Sequence, residues 1–361
     1  MNLSDLGWND YFSREFEQYR AEGFIPARVA REHKERYQLY CEPGELTAEI
    51  TGRLRHLAIS RADYPAVGDW VAITPFDDNK SAVIHAVLPR KSKFLRKAAG
   101  LKTDEQIIAA NIDIIFLVMG LDGDFNPRRL ERYLTSAWDS GASPVIVLNK
   151  TDLCENIEDR IEEVRSAAFD IPTIPISASR TEGVENVKEQ IKPGQTAAFL
   201  GSSGVGKSTI INAILGEERL KTQSVREDDS RGRHTTTWRE MILIPDGGIV
   251  IDTPGMRELQ LWTDDNSLKG SFDDIERLAQ SCKFNDCSHT NEPGCAVLEA
   301  ITSGELLQSR FNNYLKMQKE IRYLEQRQNG HTDMIARNKW KEIHKRMRKF
   351  NQDRKKKGIK T

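Results

Sequence analysis

The pattern of apolar and polar positions passes through five regimes. In the first, Trp8, Phe12, Phe16 and Tyr19 recur at helical spacing and stop near Gly23. This predicts an amphipathic helix, docked on a neighbouring domain, within an N-terminal extension over residues 1–35. From Tyr37 to Leu88 the apolar runs shorten to strand length: Leu46–Ile50, Asp69–Ile73 and Ala82–Val87. Pro43-Gly44, Gly68-Asp69 and Asp78-Asn79 separate them as turns. Several short strands in so little chain predict a small barrel over residues 36–100, with OB and SH3-like barrels the common choices.

The third regime, residues 101–265, alternates continuous apolar runs with helical stretches. Ile112–Val118, Pro144–Leu148, Thr173–Ile176, Thr196–Leu200 and Gly248–Ile251 read as strands buried on both faces, as a parallel sheet requires. Asn126-Pro127 opens a helix that runs to Gly141, and a second helix covers about 157–169. In residues 266–330, Phe311, Tyr314, Leu315, Ile321 and Leu324 return to helical spacing, broken at Asn329-Gly330. Residues 331–361 form a tail in which Trp340 and Phe350 interrupt basic residues.

At 361 residues the chain has room for two or three cores, and 38% hydrophobic residues suit a protein in water. No apolar run approaches the length of a membrane span, and the polar start Met1–Asp5 does not read as a signal peptide. A cytoplasmic monomer with no membrane partner is expected. The net charge of −1 hides an asymmetry. Residues 335–361 hold 12 Lys/Arg against 2 Asp/Glu, a net +10, which leaves −11 on the rest. A basic tail on an acidic body points to a polyanion, nucleic acid before membrane. Arg53, Arg55, His56, Arg61, Lys91, Lys93, Arg96 and Lys97, in or beside the barrel, are candidate RNA contacts, with a solubilising role the alternative.

The densest chemistry lies in Gly201-Ser202-Ser203-Gly204-Val205-Gly206-Lys207-Ser208, followed by Thr209 at a helix start. Glycines let backbone N–H groups curl round phosphate oxygens, and Lys207 supplies a point charge. The Ser208 hydroxyl is a ligand for Mg²⁺. Asn149-Lys150-Thr151-Asp152 follows a buried strand, and Asp152 can accept two hydrogen bonds from guanine that adenine does not offer. Asn149 can hold the loop and the purine N7 edge, the Lys150 stem packs on the ring, and the Ala178 N–H, after Ser177, meets the guanine O6. Asp252 ends a strand where P-loop NTPases place the carboxylate that holds Mg²⁺ from its outer shell, and Gly255 offers an N–H near the γ-phosphate. Thr235 or Thr236, within Gly232-Arg233-His234-Thr235-Thr236-Thr237, is an expected Mg²⁺ ligand. Every motif ends a strand, where doubly wound sheets bind ligands.

Five cysteines do not make a disulfide framework. Cys282, Cys287, His289 and Cys295 form a Cys₃His set suited to one closed, structural Zn²⁺ site, with free thiols or a disulfide the alternative. Cys41 and Cys154 read as ordinary buried thiols.

These motifs are those of a translation-factor-type GTPase in rotated order: the base-reading pair at Asn149 and Ser177 precedes the phosphate-reading set at Gly201, Thr235/Thr236 and Asp252. With a barrel before and a Cys/His cluster after, the chain from Tyr37 to Gln328 resembles the ribosome small-subunit-dependent GTPases of RsgA/YjeQ type. The resemblance implies an OB-fold barrel, a circularly permuted P-loop GTPase domain and a helical zinc-binding domain. It also implies phosphoanhydride hydrolysis of GTP with Mg²⁺, stimulated by the small ribosomal subunit and coupled to its late maturation. The barrel and zinc domain would grip the subunit's rRNA.

The position after Gly255 is Met256, where Ras-like proteins carry a water-orienting glutamine. His234 is the internal candidate to orient or deprotonate water, and Arg233 or a partner's arginine to stabilise the transition state. The permutation also runs the segment after Asp252, Met256 to Leu268, directly into the C-terminal module, so nucleotide state should be transmitted there. Two other readings compete. One is an RNA-binding scaffold with GTP as a structural or gating ligand. The other is an ATP-dependent P-loop kinase or ATPase, for which Asn149 and Asp152 are accidental.

Overall fold

The computed structural model describes residues 1–33, 36–76, 80–97, 105–123, 125–168, 170–220, 239–245, 247–252, 272–284, 286–308 and 310–319. Helix α1 (Asp10–Ala21) is capped by Asn9, whose side chain accepts from the Tyr11 N–H. It buries Phe12 against Trp70 and Phe16 against Trp8, and the Trp8 and Trp70 rings meet edge-on at 4.7 Å between centroids. The expected docking is onto the barrel.

That barrel is closed by five strands: β1 (Ile25–His33), β2 (Arg36–Cys41), β3 (Gly44–Ile50), β4 (Trp70–Phe76) and β5 (Ser81–Val87). The order β1-β2-β3-β5-β4 returns to β1, with β3 and β5 parallel and the other neighbours antiparallel, an OB-like arrangement. In β3 burial alternates cleanly, whereas β1 is buried continuously from Ala27 to Ala30. This corrects the N-terminal boundary at residue 35: Ile25–His33 is the barrel's closing strand. Its alternation is masked because both faces are covered: Ala27 and Val29 line the barrel core, while Arg28 and Ala30 face the nucleotide fold. The boundary at 100 also moves. Lys93–Lys97 (β6) pairs with Glu105–Ala110 (β7) in a separate antiparallel ribbon that crosses it.

The nucleotide-fold sheet contains β8 (Ile114–Gly120), β9 (Ser143–Asn149), β10 (Thr173–Pro175), β11 (Thr196–Leu200), β12 (Glu240–Ile244) and β13 (Gly248–Asp252), in the order β10-β9-β8-β11-β13-β12. Only β12 is antiparallel to its neighbour. β11 lies inside the sheet, with the three earlier strands on one side and the two later ones on the other. This is the rotated motif order written as topology. Helix α2 (Gly52–Leu57) belongs to the barrel; α3 (Pro127–Ser140), α4 (Ile157–Ala167), α5 (Val184–Lys188) and α6 (Lys207–Leu215) accompany the sheet. One sheet face shares a core with α3, Trp70 and α1, through Ile115, Leu117, Leu130 and Leu134.

Arg28 locks barrel to sheet. It is 1% exposed and donates to the carbonyls of Leu6, Gly68 and Asn111 and to Thr196 Oγ1, the last at 2.8 Å. Desolvation lowers its pKa to about 10, against the pull of Asp113 and Asp69. Gly68 permits the close approach, because a Cβ there would stand 2.1 Å from the Ala110 carbonyl oxygen.

The C-terminal module packs α7 (Asp273–Gln280), α8 (Ala296–Ser303) and helical residues 310–319 around Phe272, Ile275, Val297, Phe311 and Tyr314. No helix among the described residues is long and apolar enough to cross a membrane. The tail and the segment 256–268 lie outside the described residues.

Candidate functional site

Buried strand β11 delivers the chain to Gly201, and α6 begins at Lys207 with Gly206 as its N-cap. Two approaches in this turn tolerate no side chain. A Cβ on Gly201 would lie 2.4 Å from the Val118 carbonyl oxygen, and one on Gly206 would lie 2.3 Å from Asn149 Nδ2. Gly206 also has φ of +95°, a region where side chains are strained. Lys207 folds over the loop and donates to the carbonyls of Gly201 and Ser202, both at 2.7 Å. Its ammonium is thus held over the loop by two carbonyls, where an anion's oxygens would meet both it and the α6 N-terminus. Ser202 and Ser208 are half-buried, Ser203 and Gly204 exposed, Val205 buried and Thr209 half-buried.

Asn149, 3% exposed, joins three loops. Its Nδ2 donates to Val205 O at 2.7 Å, and its Oδ1 accepts from the Ala178 N–H at 3.0 Å. A carboxamide nitrogen carries a second hydrogen that it can also donate. The Ala178 N–H, expected on guanine O6, thus faces the Asn149 carboxamide beside the base site. Asp152 Oδ1 accepts from Ser177 Oγ at 2.6 Å, and this hydrogen bond, first among several, holds the carboxyl below its ordinary range. Asp152 is therefore ionised and oriented at neutral pH, as an acceptor for two N–H groups must be. Thr151 donates its N–H to Ile176 O at 3.2 Å. Lys150, at φ +68°, turns its side chain to Asp122. Asp122 is a residue that no motif spacing indicated.

Asp252 ends β13 directly opposite Glu240. Burial raises its carboxyl to about 6; Lys207 opposes the shift and Glu240 adds to it. A carboxylate so destabilised favours a nearby cation, and with the Ser208 hydroxyl it supplies the oxygen donors a hard divalent ion takes. His234, Thr235, Thr236, Gly255 and Met256 lie outside the described residues.

The second site is built from Cys282, Cys287, His289 and Cys295, whose ligand atoms all lie within 4.8 Å of one another. Cys282 Sγ stands 3.9 Å from Cys295 Sγ and 3.6 Å from His289 Nδ1, which is 3.4 Å from Cys295 Sγ. A tetrahedron with Zn–S and Zn–N bonds of ordinary length has edges of about 3.8 and 3.6 Å, so the cluster fits a metal ion. Burial disfavours the Cys282 thiolate, but N–H groups of Val297 and Ala296 at the start of α8 outweigh it and lower the thiol pKa. Glu292 accepts from Ser288 and from the N–H groups of Thr290 and Asn291, which sets the turn beyond His289. Of the two lone thiols, Cys41 is buried but Cys154 is only half-buried.

A third cluster, unseen in the sequence, joins the module to the nucleotide fold. Arg310 grips Asp274 with two hydrogen bonds of 2.8 Å and reaches Glu131 of α3 at 2.7 Å. Asn313 donates to the other Glu131 oxygen. Burial raises the Glu131 carboxyl and Arg310 opposes it.

A family model described as RsgA GTPase matches residues 87–262, and one described as 50S ribosome-binding GTPase matches residues 196–358, beginning at β11. The chain is 49% identical to small ribosomal subunit biogenesis GTPase RsgA 1 of Oceanobacillus iheyensis, over 97% of this chain and 99% of that one. It is 45% identical to the RsgA of Opitutus terrae, over 96% and 97%. Among solved structures, YjeQ from Thermotoga maritima superposes with a TM-score of 0.63 at 29% identity, over 82% of this chain and 98% of that one. YloQ, described as a circularly permuted GTPase, shares the fold with a TM-score of 0.60 at 23% identity, over 83% and 95%.

Proposed function

The chain belongs to the RsgA GTPase family, and from that premise we propose that it hydrolyses GTP in the service of small ribosomal subunit biogenesis, stimulated by the subunit itself. The observation that carries the nucleotide reading is the Asn149 bridge, which holds the Asp152 loop and the Lys207 loop at one site. Asn149, Lys150, Thr151, Asp152, Ser177 and Ala178 hold guanine; Gly201–Thr209 and Gly255 hold the phosphates. The ionised Asp152 selects guanine by its N1–H and 2-amino group. Lys207 and the α6 N-terminus take up charge on the β- and γ-phosphates.

Ser208 and Asp252, with Thr235 or Thr236, would hold Mg²⁺, which when bound neutralises phosphate charge. Met256 cannot orient water, so His234 takes that role, and unaided turnover is slow. The Cys₃His cluster holds one structural Zn²⁺, a folding role consistent with four protein ligands. Around α2, the exposed Leu57 and Ile59 are flanked by Arg53, Arg55, His56 and Arg61. This mixture of apolar and basic groups supports rRNA contact by the barrel, with the basic tail adding phosphate contacts in a cytoplasmic monomer.

The deciding experiment is GTP turnover by the metal-loaded protein with and without purified small subunits. Large stimulation is expected. Tight GTP binding with flat turnover would instead make the protein a nucleotide-gated RNA-binding scaffold, and equal competition by ATP would remove the guanine reading.

A further inference from the structure

Lys150 and Asp122 meet across two strand ends. Lys150 follows β9, Asp122 follows β8, and Leu121 N–H donates to Asn149 O at 2.8 Å, which clips the two loops together. Lys150 Nζ lies 2.5 Å from Asp122 Oδ2, with the side chains 22% and 28% exposed. Room for this carboxylate comes from Gly120. A Cβ there would stand 2.8 Å from Asp122 Oδ1, so any larger residue would push the carboxylate off its place over the strand ends. The ammonium is therefore drawn sideways along the sheet's carboxyl edge, with the backbone held at φ +68°. That leaves the four-carbon stem fixed between the backbone and the anchored ammonium, in the loop that carries Asp152.

We infer that Asp122 is a positioning residue for guanine recognition, acting through Lys150: it fixes the lysine so that its stem forms one face of the base site. This rests on the guanine reading of the same loop. A lysine without such an anchor keeps rotamer entropy that must be given up when the base stacks on it. Asp122 removes part of that loss before the nucleotide arrives, which is preorganisation. The half-exposed setting keeps the pair's own strength modest.

The test is a double-mutant cycle on the full-length, metal-loaded protein, read as GDP affinity by fluorescence titration. Asp122→Asn should weaken GDP by about two- to fivefold, and Asp122→Glu, which keeps the charge, should recover part of the loss. Lys150→Met keeps an apolar stem without the ammonium, and in that background Asp122→Asn should have no further effect. An equal loss in both backgrounds, or no loss in either, overturns the inference. Failure of the guanine reading is separate and visible in the unmutated protein, as GDP binding no tighter than ADP.

Discussion

Asn149 Nδ2 donates to the Val205 carbonyl at 2.7 Å, across 56 residues of chain. In this rotated sequence the base loop is made before the phosphate loop, and the bond makes one site of the two. Asn149→Ala would leave the buried Val205 carbonyl and Ala178 N–H without partners. A stability loss of about 1–3 kcal/mol is expected, together with loss of GDP binding. Thermal melting and nucleotide titration check both, and full-affinity binding by the variant would disprove the bridge's role.

Gly206 and Gly216 separate strain from contact. Both have positive φ, but a Cβ on Gly216 meets nothing within 4 Å, whereas one on Gly206 strikes Asn149. Gly216→Ala should cost about 1 kcal/mol of stability and leave GDP affinity intact. Gly206→Ala should abolish binding. Equal binding defects in the two variants would show that φ alone decides.

Asp252 makes the stability of the nucleotide-free protein depend on pH. Its carboxyl titrates at about 6 when folded against an ordinary 3.8, so between these values only the folded state holds the proton. The contribution, up to about 3 kcal/mol, is present below pH 4 and lost as pH rises through 6. Denaturant titrations of the unmutated and Asp252→Asn proteins should diverge in slope over that window, and parallel curves would refute the assignment.

Removing the metal should unfold the module over residues 272–319 while sparing nucleotide binding. Cys287→Ser, or exposure to a strong chelator, should release one equivalent of zinc and open the segment around α8 to protease. Elemental analysis and limited proteolysis read the two effects. A metal-free protein with an unchanged cleavage pattern would deny the metal its folding role.

Arg310 carries two carboxylates at the boundary between module and nucleotide fold. Arg310→Ala strands Glu131, 5% exposed, without its cation; breaking such a pair costs about 3–5 kcal/mol. Glu131→Gln keeps shape and leaves Arg310 to Asp274, so it should be milder. Melting temperatures in the reverse order would show that Arg310 does not hold this boundary.

The motifs were legible because their chemistry is local. Gly201–Ser208, Asn149–Asp152 and Cys282–Cys295 each place their functional groups within one turn or knuckle, so spacing along the chain reports spacing in space. The same holds for the long apolar runs. Periodicity, however, says which face is buried and not against what. Arg28, Glu131, Asp122 and Arg310 look like solvated charges in sequence, yet their partners lie as far as 168, 179 and 28 residues away. The first barrel strand was missed too, because both faces of β1 are covered, one by the barrel core and one by the nucleotide fold that Arg28 joins. The sequence determined which functional groups each loop carries. Tertiary structure decided which loops share a site and which charges are buried, because long-range hydrogen bonds form between groups whose separation along the chain carries no period.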